Sequence, residues 1–361
     1  MLQTHTIQPK LLELLKKLMS SISKVKYDMK IFFLLIVLII PYFSFSQLSE
    51  KANIIYQELN TKKQIESQNI GYNGQESQVY LLYSELNKIA TDSEVLFMAE
   101  NGNNVVKNYM SAILVDRKFN KILTLFKTFL NNQEEIHIQT GCMGYNSTLA
   151  GQLYSYIFYQ NEKIENIKFN KENYTRKEIK EYQFEVNTKW TKKEIDNLLK
   201  ELNFAVLDSE EIAPITLNII FNLNNYEFDN YDKVKYFATK YPSRETLATL
   251  ANFQNKNDLP LFHQNIDNSF LAISKFPDES FVEVLQNNEE KNIENLDYYE
   301  AIASFCIDDV NKIKKNIFDK LSKSDDIFTK EYIQYLEAAL KKYSCEYNSN
   351  LLLEIDKLHI R

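Results

Sequence analysis

Three regimes of apolar and polar positions follow one another along this chain. Ile31 to Phe45 read IFFLLIVLIIPYFSF without a polar break, later segments repeat apolar residues at three- and four-residue steps, and residues 161–189 lapse into a polar stretch. The first run is fifteen residues long and holds Pro41, whereas a helix that crosses hydrocarbon needs about twenty apolar residues. It reads as the hydrophobic region of an export signal, with Lys30 as its positive flank and the small residues Ser44 and Ser46 marking cleavage before Gln47. Met29 then reads as the start, with residues 1–28 as an upstream extension, or else the chain starts at Met1 and those residues are an unusually long positive flank carrying Lys10, Lys16, Lys17, Lys24 and Lys26. The alternative is an uncleaved signal-anchor that keeps the lysine-rich end in the cytoplasm. A lipoprotein is excluded, because position 47 is Gln47 and offers no thiol to a lipid.

Past the signal, Ala52, Ile55, Tyr56 and Leu59 predict a leading helix over residues 50–67 that Gly71-Tyr72-Asn73-Gly74 breaks. Val79, Leu82, Tyr83, Leu86, Ile89 and Ala90 then form one apolar helix face, and Ile122, Leu125, Phe126, Phe129 and Leu130 form another. Thr91 with Glu94 is a capping-box pair, which starts a short helix through Val95, Leu96, Met98 and Ala99 up to the turn Asn101-Gly102-Asn103-Asn104.

The next segment runs Val105-Val106-Lys107-Asn108-Tyr109-Met110-Ser111-Ala112-Ile113-Leu114. A valine followed by a basic residue, small and apolar positions and a leucine resembles the second helix of a HEAT repeat, over roughly residues 93–130. Lys107 stands where arginine is usual and Tyr109 where a small residue is usual. The resemblance implies stacked helix pairs, an α-solenoid.

Residues 161–189 mix Lys163, Lys168, Lys171, Arg176, Lys177 and Lys180 with Glu162, Glu165, Glu172, Glu178 and Glu181, so their charges nearly cancel. The stretch is a linker, or a small hairpin in which Tyr182–Val186, alternating with period two, pairs with Ile164–Phe169. Trp190 then precedes Thr191 and Glu194, a second capping box with a Trp190 to Ile195 staple. Short helices follow over 213–222, 230–240, 244–254, 258–265 and 269–275. Longer ones are marked by Val310, Ile313, Ile317 and Leu321, and by Tyr332, Ile333, Leu336, Ala339, Leu340 and Tyr343.

Glycine sharpens this division. All six glycines lie between Gly71 and Gly151. The rest of the chain therefore lacks the positive-φ residues of primed hairpins and phosphate loops and should be helical, with no dinucleotide or P-loop fingerprint. Charge excludes other partners. The chain carries a formal −7, and residues 1–46 hold six lysines against Glu13 and Asp28, which leaves −11 from Gln47 onward. Nucleic acid and bare anionic membrane are poor partners for such a surface.

Candidate chemistry is sparse. His137, His263 and His359 follow the signal, with no metalloprotease, paired-cysteine or serine-hydrolase spacing. The best cluster is Glu134, Glu135, His137 and Cys142 in a turn-rich segment before a helix at Ser147, capped by Asn146; a surface loop with a buried thiol explains it as well. Cys306 and Cys345 could bridge in an oxidising compartment or remain two packed thiols. Asp308-Asp309, Asp325-Asp326 and Glu289-Glu290 read as solvated helix caps. Tyr154 with Phe158, and Tyr156 with Tyr159, mark either a binding face or core.

The expectation is an all-α protein, HEAT-like or of stacked antiparallel helix pairs with at most one small hairpin. It is divided into an extension (1–28), signal peptide (29–46), HEAT-like domain (47–160), linker (161–189) and C-terminal repeat-like domain (190–361). No catalytic, cofactor or metal residue is assigned, and no cofactor is expected. A protein partner in the cell envelope is expected; the alternatives are an envelope enzyme using dispersed acidic residues with His137 or His263, and a membrane-anchored protein.

Overall fold

The computed structural model describes residues 13, 16, 17, 48–182, 187–225, 227–324 and 328–359. The chain divides into two compact units, Met1–Ile54 and Ile55–Arg361. In the first, Lys17 and Glu13 form an exposed i,i+4 ion pair at 3.8 Å and α1 (Glu50–Leu59) begins. The export segment 29–46 lies outside the described residues. No described helix is long and apolar enough to cross a membrane.

The expected leading helix stops short: α1 ends at Leu59, and Ile65–Ile70 form β1 instead. β1 turns into β2 (Gln75–Glu76) through Gly71 (φ +72°) and Gly74 (φ +63°), left-handed positions that glycine occupies without strain. Helices α2 (Gln78–Ile89), α3 (Asp92–Asn101), α4 (Asn104–Asp116) and α5 (Ile122–Leu130) follow. The Thr91–Glu94 capping box starts α3 as expected. At its other end Gly102 has space only for hydrogen, since a Cβ there would lie 2.5 Å from Val106 Cγ1.

The chain then returns through β3 (Glu135–Gly141) and β4 (Met143–Thr148). The sheet has the order β2-β1-β3-β4, with β1 and β3 parallel in the register Ile65↔Ile138 and both outer pairs antiparallel. Four helices therefore cross over between two parallel strands, as parallel pairing requires a long connection. Tyr109 of α4 clamps β1 to this crossover. Its hydroxyl donates to Glu66 O at 2.6 Å and accepts from Glu66 N at 2.8 Å.

Two expectations are corrected here. The sheet lies in residues 65–148, not in the 161–189 segment: Ile164–Phe169 belong to α6 (Leu149–Asn173), and residues 183–186 are outside the described residues. Polar composition misled, because a long solvated helix alternates charge as a linker does. Asn146 is a strand residue, and Thr148 caps α6 by accepting from Gly151 N.

From α6 onward the chain is helical: α7 (Arg176–Glu181), α8 (Lys192–Asp208), α9 (Pro214–Leu223), α10 (Tyr231–Lys240), α11 (Arg244–Ala251), α12 (Leu259–Gln264), α13 (Ile266–Lys275), α14 (Val282–Asn287), α15 (Leu296–Ala303), α16 (Asp308–Ser322), α17 (Thr329–Lys342) and α18 (Glu346–His359). Thr191 and Glu194 form the expected capping box of α8, and Pro214 takes the first turn of α9. Helices α6, α9, α11, α13, α15 and α17 each pack on the next, while α8, α10, α12 and α16 pack against α6, α11, α13 and α17 from beside that row. Arg244 grips Asp297 through Nε and Nη2, joining the starts of α11 and α15. Cys306 and Cys345 are bridged, with Cα atoms 6.4 Å apart, and tie the loop before α16 to the loop before α18.

Candidate functional site

The cluster marked in the sequence is a β-hairpin rather than a loop. Ile136 and Ile138 are buried while Glu135 and His137 face out, the period-two alternation of a half-buried strand. Asn146, directly opposite His137, donates to Glu135 Oε2 at 2.9 Å, and its Oδ1 lies 3.0 Å from His137 Nδ1. Glu134 turns away, accepting from Asn104 Nδ2 at 2.8 Å. Cys142 is exposed, not buried, because Gly141 (φ +58°) carries it to the hairpin tip beside Met143, which is 68% exposed. Among the described residues no group of three or more His, Cys, Asp and Glu can hold a metal.

The remaining sequence candidates disperse. His263 stacks on Phe281 with ring centres 4.3 Å apart and lies 3.2 Å from Ser280 Oγ; the His359 side chain is outside the described residues. Asp308 and Asp309 occupy the first turn of α16, where the macrodipole favours them. Glu289 and Glu290 flank Lys320 at 2.9 and 3.8 Å, and Asp325-Asp326 are outside the described residues. Tyr154 is core: its hydroxyl donates to Asn203 Oδ1 at 2.7 Å and accepts from Asn224 Nδ2 at 2.5 Å, and burial pushes its pKa up to about 12. Tyr156 accepts from Asn108 Nδ2 at 2.8 Å. Tyr83 stacks on Tyr109 at 4.7 Å. Burial raises the phenols of Tyr83, Tyr109 and Tyr156 well above their ordinary value.

A polar cluster lies where α10 meets the turn before α12. Tyr231 donates to Asp258 Oδ1 at 3.0 Å and accepts from Asn255 at 2.7 Å, and Lys235 pairs with the same carboxylate at 2.8 Å. The hydrogen bond to Asp258 raises the Lys235 amine, which keeps it an ammonium rather than a base or nucleophile. This arrangement joins the start of α10 to the 256–258 turn.

The concave surface of note was not marked in the sequence. Between the C-terminal end of α8 and the N-terminal end of α10 is a groove of about 410 Å³, lined by Lys200, Asn203, Phe204, Leu207, Asp208, Glu227, Phe228, Asp229, Asn230 and Lys233. It shares Asn230 and Lys233 with a neighbouring hollow of about 570 Å³ that adds Ser209, Glu210, Asp232 and Tyr236. Asn203 in its wall is held by Tyr154 and donates to Asn224 Oδ1 at 3.1 Å, so that side is fixed from behind. Phe204 is 71% exposed. The signal for it exists: Ile195, Leu199, Leu202 and Val206 make the buried face of α8, and Phe204 follows Ile195 by nine positions, half a turn from that face at about 100° per residue. Five carboxylates, of Asp208, Glu210, Glu227, Asp229 and Asp232, face two lysines here. Neither His137 nor His263 lines either hollow. Compared with protein families, characterised proteins and solved structures, the chain matches none of them.

Proposed function

We propose that this is an exported, non-enzymatic bacterial helical-repeat protein, a HEAT-like α-solenoid, that serves as a protein-binding or scaffold module in the cell envelope. The observation that carries the reading is the α8–α10 groove, where an uncovered phenylalanine ring and an excess of carboxylates form a concave face. Aromatic anchors ringed by polar groups are the usual energetic centre of a protein interface. The succession α6, α9, α11, α13, α15, α17 supports the repeat character. The Cys306–Cys345 bridge supports export, since such bonds persist outside the reducing cytosol.

Two measurements test this. The mass of the purified natural protein should correspond to a chain beginning at Gln47; retention of residues 30–46 would move the protein to the membrane-anchored class. Photo-crosslinkers placed at Phe204, and separately at Tyr159 and Tyr182, should capture a defined protein in intact cells from at least one position. A hydrolytic activity lost on deletion and restored only with intact Glu135 and His137 would replace the reading by an enzyme.

A further inference from the structure

We infer that the α8–α10 groove binds a segment of a partner protein bearing lysine or arginine beside an aromatic or large apolar side chain; this rests on the binding reading above and specifies its partner. Electrostatics sets the sign. Asp208, Glu210, Glu227, Asp229 and Asp232 line the two joined hollows against Lys200 and Lys233. All five carboxylates belong to exposed residues, and none of the five is held in an ion pair within the described residues. Glu227 acts on Lys275, and the Lys240 ammonium donates to the Glu210 carbonyl and the Tyr236 hydroxyl at the edge of the second hollow. The field left for an incoming ligand is therefore chiefly that of Asp208 and Asp229 in the first.

Position along the groove follows from the helix ends. Asp208 is the last residue of α8, where carbonyl groups add partial negative charge to its carboxylate. At the other side Asp232 lies in the first turn of α10, where its charge is partly spent on that helix's positive end. A cationic head group is thus held best at the α8 end, beside Phe204 and Leu207. That placement suits a lysine or arginine, whose methylene stem covers apolar surface while its head reaches a carboxylate, and whose charge gains from an aromatic face. Phe204 and Phe228 supply apolar surface for the neighbouring side chain of the same segment. Phosphate backbones and anionic lipid surfaces carry the wrong sign. A small polyamine carries the right sign but leaves the ring of Phe204 uncovered.

The test uses the full chain from Gln47 and a fluorescent peptide, Lys-Trp-Lys-Arg-Trp-Lys, with Glu-Trp-Glu-Asp-Trp-Glu as control, titrated by anisotropy. The cationic peptide should bind and the acidic one should not. Phe204→Ser should weaken binding about tenfold, the loss of one aromatic anchor. Asp208→Asn with Asp229→Asn should weaken it by about fivefold at low salt and by less at high salt. Circular dichroism confirms that each surface variant folds. The inference is overturned if the acidic peptide binds equally, if spermidine competes as well as the peptide does, or if neither variant changes the affinity. Failure here with specific crosslinks from Tyr159 or Tyr182 leaves the binding module standing with another surface; failure of every crosslinking position removes the module itself.

Discussion

The part of the chain before α6 turns strands as well as helices and the part after it turns helices alone, and the residues at the turns differ accordingly. Helices in both parts end without left-handed glycine, as at Asn131 and at Arg117 followed by Lys118 (φ +58°). Residues 65–151 hold every glycine, and three of them, Gly71, Gly74 and Gly141, take positive φ at strand ends. The later part has none. Its helices turn on asparagine and glutamine instead, with Asn225 and Gln254 both at φ +51° and C-caps at Asn224, Asn252, Asn265 and Asn288. Asparagine is among the side chains that tolerate the left-handed region best. The lesson is that glycine placement locates the sheet in this protein, because primed and bulged strand turns demand it and helix ends do not.

The two parts are also stabilised differently, which experiments can separate. The largest expected effect is in the later part: Cys306→Ser with Cys345→Ser opens a loop of sequence separation 39, and chain entropy alone puts the loss at about 4 kcal/mol. Denaturant unfolding should show it; an unchanged midpoint would mean that helix packing holds α16 and α18 unaided.

Alkaline pH should come next. Lys314 of α16 is fully buried, donating to Phe305 O at 2.7 Å and Asn348 Oδ1 at 2.6 Å with the Tyr347 ring beside it at 5.3 Å. Burial lowers its amine from 10.5 to about 8. Between pH 8 and 10.5 the unfolded chain keeps a proton that the folded chain has released, so stability rises with pH across that window, by on the order of 3 kcal/mol at full expression. Above pH 10 the buried phenols of Tyr83, Tyr109, Tyr156, Tyr298 and Tyr299 act oppositely, since they stay protonated in the folded chain after their unfolded counterparts ionise. Stability should peak between the two effects, and Lys314→Met should remove most of the rise, the remainder coming from Lys275, whose amine burial also lowers, while leaving the fall.

In the earlier part, Tyr109→Phe removes the hydroxyl that bonds both backbone groups of Glu66, at a cost of about 2 kcal/mol. Hydrogen exchange at β1 should accelerate if that clamp matters. Gly102→Ala forces a Cβ against Val106 and the Met98 carbonyl, an overpacking of about 1 to 2 kcal/mol. The smallest effect belongs to the capping boxes: Thr91→Ala and Thr191→Ala should each cost about 1 kcal/mol by thermal melting, and equal losses would show that the two parts share local rules while differing in long-range ones.

What the sequence alone determined was short-range. The capping boxes at Thr91 and Thr191, the first-turn proline of α9 and the apolar faces of α2, α5, α16 and α17 are legible, because a cap or an i,i+4 face involves residues within a turn or two of each other. The helical character of the glycine-free part was legible for the same reason. Tertiary structure alone decided that Ile65–Ile70 and Glu135–Gly141 are parallel partners rather than a helix and a loop, that Lys314 is buried against the Phe305 carbonyl and the Asn348 amide oxygen, and that Cys306 meets Cys345. It also decided that Phe204 stays uncovered beside five carboxylates drawn from the α8 end, the turns and α10. Each of these depends on which distant segments meet once the helices pack, and local periodicity carries no record of that choice.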